Sequence, residues 1–381
     1  MYPASADFHA AVKNGNPQMP LLIFPNAVFT AEDIDVNAGI EFDDLFNTEE
    51  NISIGQALMN NIRFGLFNDS KLLNDYEFGE FTAMIGVRLS ASTYTESGTI
   101  SVTSGSNTYV ATTASPYLKR NGSAMSTSPS GAIANILIYD DKVYCFQANG
   151  TVVVYKDSTG EKLTVTVPAF MAEKFKRELY IGACLNKTTR ILTVNQGGVS
   201  ETYEFVPLGT FFAERPNAPF VNEINLSCDD RMKLFECSVP DDTTLGITYP
   251  TTIGTLYTKM CDYLDVPYET STFINSTATI SKRPEQFESA TMRQVLQWIA
   301  EAAGSNAKFD RDGILCLKWL NTTTLEMDEG DYSAFLPFWY ETQQVDKLYN
   351  RDSQSSGADS TYGTGNGGYL ILDNPLMKGA T

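Results

Sequence analysis

The feature that most constrains the fold is a change of hydrophobic period near residue 250. Before it, apolar residues recur at every second position. Ile34, Val36, Ala38, Ile40 and Phe42 alternate with polar residues, as do Ile62, Phe64 and Leu66, and then Phe81, Ala83, Ile85 and Val87. A period of two sends successive side chains to opposite faces, so each run predicts a half-buried strand. After the change, Ile253, Leu256, Tyr257, Met260, Cys261 and Leu264 fall on one face of an amphipathic helix, with Thr251 or Thr252 placed to cap it and Pro267 beyond its end. A second helix is expected from about Ser289 to Ala303, with Met292, Val295, Leu296 and Ile299 on one face and Gly304 as its stop. Lys308–Cys316 then reads as a hairpin turning at Asp312-Gly313. Strands first and helices afterwards predict an α+β chain that is mainly β.

The strands are not evenly spread. With turn-rich pieces such as Phe67-Asn-Asp-Ser70 between them, residues 20–92 read as an antiparallel meander. Residues 93–131 shift abruptly to Ser, Thr, Gly and Asn, and strands resume at Ala134–Tyr139 and Lys142–Phe146. Asn149-Gly150 is a two-residue hairpin signal, because both residues tolerate positive φ. A helix-like piece at Ala169–Phe175 and a β stretch from Arg190 to Phe205 follow, and alternation returns at Ile224, Leu226 and Cys228 before stopping at Asp229-Asp230. The expected organisation is a discontinuous β domain over 1–92 plus 201–236, an inserted β-rich module over 93–200, a small helix-helix-hairpin α+β domain over 237–325, and a partial β domain over 326–381. In the last of these, Asp352–Gly368 reads as a polar loop and Tyr369–Pro375 as a final strand.

Composition narrows the function classes. With 43% hydrophobic and 12% aromatic residues over 381 positions, the chain can bury a substantial core in two or three domains. Lys+Arg 27 against Asp+Glu 46 gives a formal charge of −19, which repels a phosphate backbone, so no tight nucleic-acid binding is expected. The same charge suits the wall of a channel through which DNA slides without sticking. The start, MYPASADFHAAVKNGNPQ, lacks a basic piece followed by an apolar run, and no stretch reaches the roughly 20 apolar residues of a membrane span, so neither a classical export signal nor stable membrane insertion is expected. Cys145, Cys184, Cys228, Cys237, Cys261 and Cys316 show no C-x-x-C pair and read as small buried apolar residues in a reducing compartment. Triplets such as Asn149-Gly-Thr151 and Asn186-Lys-Thr188 read as polar turns rather than glycosylation sites.

Candidate chemistry is sparse. His9 is the single histidine, so any Ser-His-Asp or Cys-His arrangement would have to use it, and it reads as an incidental surface residue. Gly363-Thr-Gly365-Asn-Gly-Gly368 fits G-x-G-x-x-G formally, but it lacks the preceding strand and following helix that bring a pyrophosphate to a helix N-terminus. The acidic clusters Asp43-Asp44, Glu49-Glu50, Asp229-Asp230 and Asp328-Glu-Gly-Asp331 lack EF-hand spacing and are what a large excess of acids produces on solvated faces. No catalytic, cofactor-binding or metal-ligating residue is assigned, and no cofactor is expected.

The residues also resemble a known set. Met1-Tyr-Pro with Gly15-Asn-Pro17, Phe42-Asp-Asp-Leu-Phe-Asn47, Ile54-Gly55 and Phe64-Gly-Leu-Phe-Asn-Asp69 resemble the start of tail-tip hub proteins in prophages of Gram-positive bacteria. Val206-Pro-Leu-Gly-Thr-Phe211, Cys228-Asp-Asp-Arg-Met-Lys-Leu-Phe235, Thr255-Leu-Tyr-Thr-Lys-Met-Cys261, Arg293-Gln-Val-Leu-Gln-Trp-Ile-Ala-Glu-Ala-Ala-Gly304, Phe309-Asp-Arg-Asp-Gly313 and Asp373-Asn-Pro375 follow in the order such proteins have. The chain thus resembles the baseplate hub family of contractile phage tails, which is also the N-terminal hub module of siphophage tail-associated lysins. The resemblance spans both ends of the chain and thins across 93–200.

It implies tail-tube-like β-barrel domains, two per chain, with 1–92 plus 201–236 as the first hub barrel and 326–381 as part of a second, which related chains complete with further strands past Asp-Asn-Pro. It further implies a non-enzymatic homotrimer whose pseudo-sixfold ring matches a hexameric tail tube to a threefold spike. The implied partners are the tail tube or distal tail protein and the tip or spike proteins. The place is the virion tail tip, after synthesis in the host bacterial cytoplasm. Two other readings remain. One is the front part of a tail-associated lysin whose peptidoglycan hydrolase lies beyond residue 381. The other is a glycan-binding tip resting on the Ser/Thr/Asn-rich insertion with Tyr139, Tyr144 and Tyr155.

Overall fold

The alternating runs become strands in a computed structural model, which describes residues 4–25, 27–35, 39–44, 54–68, 73, 76–93, 100–125, 127–147, 151–164, 177, 180–181, 184–186, 188–196, 199–213, 222–318, 345–350, 360–362, 368–372 and 374–376. Strand outweighs helix, 44% against 19%, so the chain is α+β and mainly β. Among the described residues several sheets form and none closes into a barrel. No described helix is long and apolar enough to cross a membrane. The chain divides into two compact units, the first made of Met1–Ile40, Phe64–Leu208 and Ala213–Leu226, the second of Glu41–Arg63, Gly209–Phe212 and Ser227–Thr381.

The first unit opens with helix α1 (Ala6–Lys13), followed by β1 (Gln18–Phe24) and β2 (Ala27–Phe29). After β3 (Ile40–Asp43) and β4 (Ala57–Leu58) come β5 (Asn61–Phe67) and β6 (Gly79–Thr93). Ile62, Phe64 and Leu66 are buried on β5, and Phe81, Ala83 and Val87 on β6, as their alternation predicts. Ile34 makes a single bridge to Leu66, Ile40 and Phe42 lie in β3, and Val36 and Ala38 lie outside the described residues. The expected meander over 20–92 does not form. β1 pairs antiparallel with β6, Leu22 opposite Ala83, and the order continues through two late strands, β2-β1-β6-β16-β17-β5, where β16 is Val199–Ala213 and β17 is Glu223–Asp230.

The reason is visible at Gly86. A Cβ there would lie 2.5 Å from the ring of Phe205, so the glycine opens the space in which that β16 side chain, 1% exposed, covers β6. The early strands alone lack this large apolar cover.

Residues 93–131, expected to carry no strands, hold a four-stranded sheet of β7 (Ser101–Ser104), β8 (Asn107–Ala111), β9 (Leu118–Arg120) and β10 (Ser123–Ala124). Asn121 and Gly122, at φ 51° and 81°, make the two-residue turn from β9 to β10. A second four-stranded sheet follows in sequence order, β11 (Ile133–Tyr139), β12 (Lys142–Gln147), β13 (Val152–Lys156) and β14 (Lys162–Leu163). The expected Asn149-Gly150 turn and the helix at Ala169–Phe175 lie outside the described residues. Tyr109, Leu118, Ile136, Val143, Cys145 and Tyr155 form one core from both sheets. β15 (Ile191–Gln196) pairs with β16, and its Leu192 packs with Leu21 and Met84 of β1 and β6.

In the second unit β17 ends in a 3-10 helix over Arg231–Glu236, and a short helix α2 (Asp242–Leu245) follows. The β18 (Thr251–Thr252) and β19 (Thr279–Ile280) pair brackets α3 (Ile253–Tyr263), whose N-cap is Thr252. Helix α4 (Met292–Ala302) starts later than expected, because Thr291 caps it in a capping box with Gln294. Gly304, at φ 61°, stops it as expected. Ile253, Leu256, Tyr257, Met260 and Cys261 meet Met292, Val295, Leu296 and Ile299 in one core, each at most 1% exposed. At about 1.5–3 kcal/mol per buried large apolar side chain, this core dominates the unit's stability.

The hairpin of β20 (Asn306–Phe309) and β21 (Leu315–Lys318) is joined by five residues rather than two, and Asp310 accepts hydrogen bonds from the backbone of Asp312 and Ile314. On its other side β20 pairs in parallel with β4, Ala307 opposite Ala57. The last sheet runs β23 (Ser360–Tyr362), β22 (Val345–Asn350), β24 (Gly368–Leu372). β24, the expected final strand, thus finds its partner in β22, in parallel.

Candidate functional site

Alternation on β17 buries Ile224, Leu226, Cys228 and Asp230, so the strand's inner face ends in a carboxyl that is 2% exposed. The residue then caps the 3-10 helix. One oxygen of Asp230 accepts from Met232 N at 2.9 Å, the other from Asn60 N at 3.0 Å, and Asp230 N donates back to Asn60 O at 2.9 Å. Neighbouring bonds hold the rest of that segment. Asn61 Nδ2 donates to Asp229 at 2.9 Å, Arg293 donates from Nε and Nη2 to Ala57 O, and Gln56 N donates to Asn306 Oδ1 at 3.0 Å. Residues 56–61 are therefore clasped between the 3-10 helix, α4 and β20, all within the second unit.

Burial pushes the Asp230 carboxyl up to about 7, against the pull of the Asn60 and Met232 amides, with Asp229 adding to the rise and Arg293 opposing it. A carboxyl titrating near neutrality has the range a general acid or base needs. Both oxygens are nonetheless committed to backbone amides and sealed from water, so the geometry holds chain segments together and offers no reacting atom a place.

The first unit has its own buried carboxylate. Asp157, 8% exposed, accepts from Tyr109 OH at 2.8 Å and from Asn107 Nδ2 at 3.1 Å, while Arg120 Nη2 donates to its carbonyl at 2.8 Å. These bonds link β8 and β9 of one four-stranded sheet to the end of β13 of the other. Burial raises the Asp157 carboxyl, but hydrogen bonds from Ser104, Tyr109 and Asn107 and the charge of Arg120 outweigh it and hold the group below its ordinary range.

No protein-family model, no curated protein and no solved structure matches the chain.

The structure separates the residues singled out from sequence. His9 sits exposed on α1, edge-on to Phe8. Asp43 is near Arg63, and Asp44 accepts from Lys308 and Arg311, which hold its carboxyl low against burial. Glu49-Glu50 and Asp328–Asp331 lie outside the described residues, and no acidic, His or Cys group among the described residues has metal-holding geometry. Gly363–Gly367 also lie outside, while Gly368 opens strand β24 rather than a helix. Cys145, Cys228, Cys261 and Cys316 are buried free thiols, whereas Cys184 and Cys237 are exposed, which corrects the expectation that all six are buried. Asn186 accepts from the amides of Thr188 and Thr189, a polar turn as expected. Tyr144 and Tyr155 are buried in two separate clusters and Tyr139 packs beside Tyr144, so these rings are core and not an exposed sugar platform. The residues missed from sequence are Asn60, Gln56, Arg293, Asn306 and Asn374: the side chains of Asn60, Arg293, Asn306 and Asn374 bond backbone atoms far along the chain, among them the backbone N of Gln56. Asn60-Asn61 interrupting an otherwise apolar Ala57–Ile62 is the one local trace of them.

Proposed function

We propose that the chain is a structural, non-enzymatic subunit of a bacteriophage or phage-derived tail tip, forming a trimeric baseplate hub that joins the tail tube to the tip or spike and lines the DNA conduit. The observation that carries the reading is the convergence of the hub-like segments. Cys228–Phe235, Thr255–Cys261, Arg293–Gly304 and Phe309–Gly313 contribute Met232, Phe235, Leu256, Leu296, Ile299 and Phe309 to a single core. The hub-like Asp-Asn-Pro joins them. Asn374 donates to Trp298 O at 2.6 Å and to Glu301, and Leu376, 1% exposed, enters the same core. The later hub-like segments, scattered along the chain from Cys228 to Pro375, thus fold together in one core.

The barrels of the hub reading close between copies. Among the described residues the sheet ends at β2 and at β3, and edge strands of this kind are where neighbouring chains add their own. The charge of −19 keeps a polyanion moving through the lumen. Reconstruction of the assembled tail tip should show three equivalent copies of the chain at the hub, and one copy or six would overturn the reading. Double-stranded DNA should show no micromolar binding at low salt, where screening is weakest. A zymogram on the 381-residue chain should stay blank, since the reading places any peptidoglycan hydrolase outside it.

A further inference from the structure

Helix α1 is attached in an unusual way. Of its eight residues Ala11 alone is buried, Val12 is 45% exposed and His9 faces solvent. Its hold on the sheet is polar and sits at its two ends. At the front, Ser5 donates from both N and Oγ to the two oxygens of Glu204 on β16, a carboxylate 7% exposed, while Ser5 Oγ also accepts from Phe8 N as the helix cap. At the back, Asn16 Nδ2 donates to Arg88 O at 2.8 Å, immediately before the chain enters the β1–β6 ladder, where Arg88 N donates to Pro17 O at 3.0 Å. An isolated helix of this length does not persist in water, so α1 is helical because it is docked. Beyond the buried Ala11 and the half-buried Phe8, its docking rests on hydrogen bonds that water can replace.

We propose that α1 is a releasable strap: residues 4–16 open as one unit while β1, β6 and β16 stay paired, uncovering the Glu204 carboxylate and the β6–β16 face beneath. The open segment melts as it leaves, and Glu204 exchanges its Ser5 donors for water. The closed state is restored when Ser5 recaps the helix and regains the carboxylate.

Hydrogen–deuterium exchange resolved by peptide tests this on the full chain. Amides of Phe8–Lys13 should exchange at least about tenfold faster than those of Ala83–Val87 in the same molecule, the mark of sub-global opening. Ser5→Ala should speed α1 exchange a further about five- to tenfold, the scale of a lost cap, and leave Ala83–Val87 unchanged. Glu204→Gln, which keeps an acceptor, should fall between wild type and Ser5→Ala. Equal protection of α1 and β6, or an equal response of both to Ser5→Ala, would show that the helix opens only with the whole unit and would overturn the proposal.

Discussion

The core of the second unit and the two-sheet region over Ser101–Leu163 each bury an aspartate, yet they solve the problem in opposite ways. Asp230 is met by backbone amides, whose positions are fixed by a strand end and a segment more than a hundred residues distant in sequence. Asp157 is met by side chains from neighbouring hairpins, free to turn their donors toward the charge. At Asp230 burial wins and the carboxyl rises to about 7, while at Asp157 the side-chain donors win and the carboxyl falls. Fixed donors suit a clasp that must hold separated segments. Mobile donors suit a local module that must tolerate a charge.

The two regions can be read separately, because Trp298 lies on α4 against the core of the second unit and its fluorescence therefore follows that unit. The largest expected effect is Leu296→Ala, which empties a site at 0% exposure and should lower the second unit's unfolding free energy by about 2–5 kcal/mol in a fluorescence-followed denaturant titration. Asp230→Ala should come next, at about 2–4 kcal/mol, since it leaves buried amides unsatisfied.

Its pH signature sharpens the contrast. A carboxyl raised from 3.8 to about 7 on folding contributes stability that is fully present below 3.8 and is lost as pH rises through 7. Asp230→Asn should therefore flatten the decline in the second unit's stability between pH 4 and pH 7. A decline identical in wild type and variant would break the contrast.

Asp157 has the reverse sign: its lowered carboxyl contributes stability above 3.8 that is lost as pH falls through the depressed folded value. Tyr109→Phe removes one donor to that charge and should cost about 1.5–3 kcal/mol, read in the exchange of the β7–β14 amides and not in tryptophan fluorescence. The smallest effect belongs to the boldest change. Replacing residues 100–164 by a short linker should leave the tryptophan-followed transition within about 0.5 kcal/mol, as expected for sites sharing no partners. Residues from Tyr180 on must be kept, because Ile181 and Leu192 pack with Leu21 and Met84.

Much of this was legible from periodicity. The faces of β5, β6, β17, α3 and α4 could be read because each buries a row of apolar residues on its own. Strand order could not be read, since nothing local at Phe81–Val87 says that Phe205 will lie over Gly86. The sheet within 93–131 was hidden because its strands are Ser and Thr rich, and its core positions, Tyr109 and Leu118, are too few to show a period. The clasp at Asp230 was seen as a mere acidic pair, because its partners Asn60 and Met232 contribute backbone amides, which every residue has.

The parallel pairing of β4 with β20 sets a timetable for synthesis. Gln56 and Asn306, which meet beside that pair, are separated by 250 positions. At ribosomal rates of roughly 5–20 residues per second, the early half of that contact waits about 10–50 s for the late half to emerge. During that interval the β7–β14 hairpins, whose contacts are local, can fold many times over. The segment Gly55–Leu58 must wait on the ribosome for its β20 partner, with Ala57 and Leu58 uncovered. A cell expressing this chain therefore meets its greatest aggregation hazard before residue 306 is made.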